Sequence, residues 1–298
     1  MRRWAFLILL GVFCSHSLRA QLDLRLAVDR DNFVCHESIH LEVQIISDHA
    51  NAVILGDVNG WIRFSVLNGR GFPVNQTAKI PKGALFVLGA GKSISKTINL
   101  APFFDFSEPG VYVISASITT RNWRNVRFES QPIKIQVVRG RTMQVLKRGV
   151  QGGDGESEPE VVRYSLQSAR VNGKAHLFLR VSDDHEPSYR IYSVTPLGMM
   201  VNEAKPTMAM DRDGISHVFF QSHKHQYFYC RLNPYGALMR RETYVRERAM
   251  PFLNRDKFGR FAVMDGTRVV SESDYPAPLT RAKVSPVITP PTGSGFRG

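Results

Sequence analysis

Three histidines are the strongest candidates for metal chemistry in this chain. His223 and His225 are two residues apart, so their side chains share a face if one strand continues through both. Imidazole suits zinc or copper, and Cys230, on the next predicted strand, offers a further donor. His217, His223 and His225 are therefore a candidate metal site. A structural role is the favoured interpretation, because His217 has an equivalent, His176, in an internal repeat.

A cluster of acids, Asp183, Asp184 and Glu186 around His185, is the candidate for hydrolysis. A glycoside hydrolase needs two carboxyl groups set about 5–10 Å apart across a cleft. Consecutive residues in a loop point to both sides of the chain, so a solvated turn is the favoured interpretation. No Gly-x-Ser-x-Gly elbow accompanies the cluster. The sequence therefore predicts no catalytic residue, and no cofactor is expected.

Two glycine-containing segments resemble ligand loops but lack essential parts. Asp211-Arg212-Asp213-Gly214 has neither the distal glutamate of a calcium loop nor the serine and tryptophan of an Asp-box. It is more simply a hairpin turn in which Gly214 takes a positive φ. Residues 89–93 end like a phosphate-binding loop, but the first glycine is replaced by Phe86 and no helix is predicted to follow.

An aromatic run, Tyr227, Phe228 and Tyr229, is the first candidate for contact with a ligand. Exposed aromatic side chains are common at binding surfaces. Because successive residues of a strand face opposite sides, at least one of the three is expected to be in a core.

The elements that must position these residues are short strands with a period of two. Ile39, Leu41, Val43 and Ile45 alternate with polar residues, and similar runs lie near residues 22–28 and 133–137. Such alternation places one strand face in a core and the other in water. Glycine, proline and asparagine turns separate the runs, which predicts an all-β sandwich over residues 21–139.

One segment of that region carries a family resemblance. Glu108–Ile114 resembles the acidic-x-Gly-x-Tyr-x-Cys stretch that opens strand F of immunoglobulin folds, and Tyr112 matches the tyrosine corner. Ile114 replaces the cysteine, which implies aliphatic packing against a residue such as Val43 instead of a disulfide. The region is similar to bacterial exported immunoglobulin-like and fibronectin-type modules.

The remainder divides into a linker, a repeat region and a tail. Residues 140–159 are basic and then Gly-rich and acidic, so they are predicted to be a linker. Over residues 160–275, segments recur after about 40 residues, with Gly173–Phe178 matching Gly214–Phe219. Repeats of that length resemble blades of secreted β-propellers, although two units and a fragment are too few for closure. Residues 276–298, rich in Pro and Gly, are expected to be a disordered tail.

The N-terminus predicts export. Two arginines precede an apolar run, Trp4 to Phe13, and small residues then offer cleavage after Ser17 or Ala20. This order is typical of a cleaved secretory signal over residues 1–20, with a secreted or periplasmic product. Lipid anchoring at Cys14 is not expected because a large residue precedes it. No later stretch has about 20 apolar residues, so no transmembrane span is expected after cleavage.

The charge favours anionic partners. The 39 Lys and Arg include three in the signal, which leaves 36 against 26 Asp and Glu, a net charge of +10. The basic residues are scattered, so no specific nucleic-acid binding is expected. The sequence thus predicts a non-catalytic exported binding or structural module whose partner is an anionic envelope component, a glycan or a protein. The alternatives are a glycan-active hydrolase with an oligomer-completed propeller and an exported metal-binding protein.

Overall fold

The computed structural model describes residues 22–56, 60–81, 84–120, 126–150, 160–185, 189–201 and 205–277. The predicted signal peptide lies outside these residues, as does the predicted tail after Ala277. The chain divides into two compact units: residues 1–141 with 169–174, and residues 142–168 with 175–298. No helix in the described part has the length and hydrophobicity that crossing a membrane requires.

The first unit is a sandwich of short strands. They are β1 (Leu22–Val28), β2 (Asn32–Val34), β3 (His40–Ser47), β4 (Val53–Leu55), β5 (Ile62–Asn68), β6 (Phe86–Leu88), β7 (Ser93–Asn99), β8 (Gly110–Thr119), β9 (Arg127–Glu129) and β10 (Ile133–Val138). One sheet has the order β1-β3-β7, and the other has the order β2-β10-β8-β5 with β9 added to β8. Strands β4 and β6 form a separate pair.

The core of this unit is filled by the alternating residues that the sequence predicts. Leu41, Val43 and Ile45 of β3 are almost completely buried together with Ile114 of β8, which belongs to the other sheet. Aliphatic residues of both sheets therefore share one core.

The tyrosine corner is also present in the first unit. The Tyr112 hydroxyl donates a hydrogen bond of 2.8 Å to the carbonyl oxygen of Glu108. The Tyr112 ring packs edge-on against Phe106, with centroids 5.2 Å apart. The bond connects the start of β8 to the loop before it, which confirms the immunoglobulin-like feature predicted from the sequence.

The second unit consists of antiparallel sheets of longer strands. They are β11 (Arg141–Val150), β12 (Glu160–Val171), β13 (Lys174–Asp183), β14 (Ile191–Met199), β15 (Thr207–Met210), β16 (Ser216–His223), β17 (Gln226–Leu232), β18 (Leu238–Arg246), β19 (Phe252–Arg255), β20 (Phe261–Met264) and β21 (Gly266–Val269). Of these strands, β11, β12 and β13 each have one end that belongs to the first unit. The sheet orders are β11-β12-β13-β14 and β15-β16-β17-β18-β21, and β19 pairs with β20.

The linker predicted over residues 140–159 is wrong in its first half. Residues 141–150 form the edge strand β11 next to β12, and Met143 and Leu146 of this strand are partly buried against an apolar core. Residues 151–159 lie outside the described part of the chain.

A five-residue turn recurs through the second unit. In the turn from Asp211 to Ile215, one carboxylate oxygen of Asp211 accepts the backbone N–H groups of Asp213 and Ile215, at 3.0 and 2.9 Å. Asn233 and Asp256 make the same pair of bonds in their own turns. The glycine at the fourth position of each turn has a φ between +80° and +85°, so the hairpin predicted for Asp211–Gly214 is confirmed.

The second unit is layered. The sheet β15-β16-β17-β18-β21, the central sheet, is covered on both faces, on one of them by the sheet β11-β12-β13-β14, the first sheet. One core lies between the two sheets and includes Leu179 of β13 and Phe220 of β16. On the other face of the central sheet, Phe219 packs in a second cluster with Leu253 and Val263 of the β19–β20 hairpin. The all-β class with an antiparallel, incomplete propeller-like repeat region is thus confirmed.

Candidate functional site

The predicted metal site is not assembled. His217 lies near the beginning of β16 and His223 at its end, so six residues of extended chain, about 20 Å, separate them. Cys230 is completely buried on the opposite face of the sheet, in the apolar core. No group of three metal-donor residues occurs in the described part of the chain. The prediction that His217, His223 and His225 bind one ion is wrong, because strand geometry separates them.

The acids of the candidate hydrolase loop form ion pairs with basic side chains and a hydrogen bond with the backbone. Asp184 pairs with Lys147 Nζ at 2.7 Å and with Arg163 Nη1 at 3.3 Å, and these hydrogen bonds lower the pKa of its carboxyl group. Asp183 accepts the backbone N–H of Arg190 at 2.8 Å. Glu186 lies outside the described residues. Among the described residues, Asp183 and Asp184 are therefore held in structural contacts.

The aromatic run is buried, which corrects its prediction as an exposed contact surface. Tyr227, Phe228 and Tyr229 are 1%, 5% and 6% exposed. Phe228 faces the core between the sheets, whereas Tyr227 and Tyr229 face the second cluster beneath the hairpin. Both faces of β17 are covered, so the alternation of the strand leaves none of the three in water.

A cleft beside Tyr229 is the candidate site. It has a volume of about 460 Å³. It lies between strands β16, β17 and β18 of the central sheet and the turn of the β19–β20 hairpin. Its lining residues come from two of the recurrent turns and from β16, β17, β18 and β20: Asp211, Arg212, Asp213, His217, Tyr229, Arg231, Arg240, Glu242, Phe258, Gly259, Arg260 and Phe261. The site is thus made of residues distant in sequence.

A chain of hydrogen bonds forms one wall of the cleft. His217 Nε2 is 3.1 Å from Asp211 Oδ2, and His217 Nδ1 is 2.7 Å from the Tyr229 hydroxyl. The first bond spans the Asp211–Ile215 turn, because Asp211 begins that turn and His217 follows it. The second is a diagonal contact between β16 and β17, in which His217 is the register partner of Arg231.

The protonation states of this chain follow from burial. Burial lowers the pKa of His217, although its bond to Asp211 opposes the shift. Burial would raise the pKa of Asp211, but hydrogen bonds from His217 and the Ile215 N–H outweigh it and lower the pKa. Burial raises the pKa of Tyr229 to about 12. At neutral pH, Tyr229 therefore donates to Nδ1 of a neutral His217, which donates from Nε2 to the Asp211 carboxylate. Both ring nitrogens are committed.

Arginines dominate the remainder of the cleft. Arg240 pairs with Glu242 at 2.6 Å, and Arg260 pairs with Asp256 at 2.9 Å. Arg231 differs from them: it is half-buried, and its Nε atom, which is inaccessible to water, makes no hydrogen bond within the described part of the chain. A half-buried guanidinium charge without a counterion is costly. The Nε itself is out of reach of a ligand, but Arg231 lines the cleft, so the cleft can accept an oxyanion beside its guanidinium.

The sequence interpretation identified His217 and the Asp211 turn but missed the arginines. Arg231 and Arg240 lie on neighbouring strands and are direct register partners in the β17–β18 pair. Their proximity depends on the pairing register, which a single sequence does not state. The repeated Asp-x-x-Gly turns at Asp211 and Asp256 were the available signal, since both turns border the cleft.

Comparisons with known proteins add little. No family model matches the chain, and no curated protein matches it. The sporulation control protein Spo0M from Bacillus subtilis is 7% identical, with a TM-score of 0.29 over 54% of this chain and 80% of that one. The E. coli chaperone DraB is 13% identical (TM-score 0.24, 73% and 94% covered) and the chaperone YadV 8% identical (0.22, 72% and 96%).

Proposed function

We propose that this protein is an exported, non-catalytic binding module whose cleft at Arg231 binds an acidic group of its partner. The partner is an anionic envelope component, an acidic glycan or an acidic protein segment. The observation that carries the proposal is the half-buried Arg231, which lines the cleft and whose Nε has no acceptor among the described residues. The Nε is sealed from solvent, so an anionic oxygen in the cleft would act by balancing the charge of the guanidinium.

The charges around Arg231 support an external anion as its partner. Two of the acids that line the cleft are engaged by other residues, Asp211 by His217 and Glu242 by Arg240. Phe258, at the hairpin turn, is 67% exposed at the edge of the cleft and offers an apolar surface to the body of a ligand.

The hydrogen bonds of His217 and the protonation of Tyr229 favour binding over catalysis. A general base needs a free lone pair within reach of a substrate, whereas both nitrogens of His217 are committed to Asp211 and Tyr229. Tyr229 is held as a neutral phenol. Export is supported by the N-terminal signal pattern, and the net positive charge favours anionic surroundings.

Replacing Arg231 tests the proposal. The full mature chain is titrated with an alginate oligosaccharide, which carries carboxylates, and with a heparin oligosaccharide, which carries sulfates, at one fixed salt concentration. We expect Arg231→Ala to weaken binding of at least one probe by about tenfold or more, since it removes a desolvated charge contact. Arg246→Ala is the matched control, because Arg246 is an exposed β18 arginine outside the cleft.

Two outcomes would overturn the assignment. If both variants lose affinity equally, the binding reflects net charge alone and the cleft has no special role. If neither probe binds the unmodified chain at physiological salt and inorganic phosphate also fails, the cleft is not an anion site.

A further inference from the structure

A second pocket lies on the first sheet of the second unit. It is separate from the cleft at Arg231, the arginine cleft. Its volume is about 330 Å³. Buried Tyr164 and Val181 belong to its lining, together with Tyr192 and Tyr235, which are 41% and 79% exposed. Glu160 and Arg190 supply its charged groups. The pocket thus combines several tyrosine rings with one acid and one base.

The turn that carries Tyr235 is held rigidly against this sheet. The Tyr164 hydroxyl donates to the Pro234 carbonyl oxygen at 2.8 Å, and Ser193 Oγ donates to the Tyr235 carbonyl oxygen at 2.7 Å. Thr195 Oγ1 donates to the carbonyl oxygen of Gly236, also at 2.7 Å. Three consecutive carbonyl groups are therefore fixed by side chains of β12 and β14, so the backbone beneath Tyr235 is preorganised.

Tyr192 is fixed as well. Its hydroxyl donates to the Glu160 carboxylate, and the Arg190 guanidinium lies 5.7 Å from the centre of its ring. Two aromatic rings are thus exposed to solvent on a rigid frame. Burying exposed aromatic surface is favourable, and a rigid frame lowers the entropy that a ligand must overcome.

We propose that this pocket binds a neutral saccharide. A sugar ring has apolar C–H faces, which pack on Tyr192 and Tyr235, and a rim of hydroxyl groups. Those hydroxyls donate to the Glu160 carboxylate and accept from the Arg190 guanidinium. The acid and the base balance each other's charge, so the pocket favours a neutral ligand, unlike the arginine cleft. The inference goes beyond the proposed function and does not depend on it.

The test uses the full mature chain and three neutral probes: maltotetraose, cellotetraose and chitotetraose. Binding is measured by isothermal titration and by the change in tyrosine fluorescence. We expect at least one probe to bind, and Tyr235→Ala and Tyr192→Ala each to weaken that binding tenfold or more. Tyr275→Ala is the matched control, since Tyr275 is 48% exposed and lies outside the pocket, and its affinity is expected to be unchanged.

Other results would overturn the proposal. One is that none of the three probes binds at millimolar concentration, or that Tyr275→Ala weakens binding as much as Tyr235→Ala. Another is that a proline decamer binds in a Tyr235-dependent manner while the saccharides do not, which would make the pocket a peptide site. Arg231→Ala is carried through the same titrations. We expect it to leave saccharide binding unchanged, so failure at one site is distinguishable from failure at the other.

Discussion

At the scale of single residues, His217 links stability to pH. It is 5% exposed, and burial lowers the pKa of its ring in the folded protein. Between that lowered pKa and the unfolded value near 6.5, the unfolded chain binds more protons than the folded one. Stability contributed by the neutral ring is therefore present above about pH 6.5 and is lost as the pH falls below it.

This linkage gives a measurable slope. We expect the free energy of unfolding, from urea denaturation, to fall between pH 7.5 and pH 5 by up to about 1.4 kcal/mol per pH unit for this group. His217→Gln should remove that part of the slope, while His223→Gln, at an exposed position, should retain it. Asp211 does not contribute in this range, because its carboxyl group titrates lower. An unchanged slope in His217→Gln would contradict the assignment.

The sequence predicted which residues are important better than it predicted the partners of those residues. The tyrosine corner followed from local sequence, since the Tyr112 hydroxyl reaches a carbonyl only four residues away. His217 was also identified, as a candidate metal ligand or as a structural residue of the repeat. Its true partners, Asp211 and Tyr229, follow from a turn and from a strand register. Non-local pairing of this kind depends on tertiary packing, which one sequence does not reveal.

At the scale of elements, the recurrent turn positions both candidate sites. In the turn at Asn233, Gly236 has a φ of +80°, and a Cβ there would lie 2.6 Å from Val181 Cγ2. In the turn at Asp256, Gly259 has a φ of +85°, but its Cβ would meet only the mobile end of Arg255, at 3.3 Å. The two glycines share a backbone conformation and differ in the space around them.

Substitution of Gly236 and Gly259 by alanine separates the free-energy cost of backbone strain from the cost of overpacking. Both variants bear a left-handed backbone cost of roughly 1–2 kcal/mol. Gly236→Ala should lose roughly 1–3 kcal/mol more, because the added methyl group overpacks against buried Val181. Thermal or urea unfolding of the two variants provides the comparison. Equal losses would mean that the Asn233 turn is not clamped against the first sheet, and the pocket there would lose its rigid frame.

The burial of β17 illustrates why the element interpretation was incomplete. Half-exposed strands have alternating patterns, and alternation predicted the sandwich well. Tyr227–Cys230, by contrast, is apolar at every position, as is Val218–Phe220. Continuous apolar runs are typical of strands covered on both faces. That pattern was available in the sequence, but the covering layers, the first sheet and the β19–β20 hairpin, became clear only from the packing.

At the scale of the whole molecule, each unit has an apolar core of its own. Ile114 belongs to the core of the first unit and Phe220 to that of the second, and both are at most 2% exposed. A unit with a separate core can unfold as a separate cooperative transition. The all-β class and the two β regions were predictable from strand patterns, whereas the division of the chain was not, since the second unit already begins at Thr142.

Two core truncations test whether the units unfold separately. Ile114→Ala and Phe220→Ala should each cost about 3 kcal/mol, because each leaves a cavity in a filled core. In differential scanning calorimetry of the full chain, we expect two transitions. Each variant should lower only one of them, by roughly 10 °C for a unit of this size. Val87→Ala, at a position 59% exposed, is the control and should move neither. A single transition that both truncations lower equally would mean that the chain unfolds as one cooperative body, and that ligand binding in the second unit must then stabilise the first unit as well.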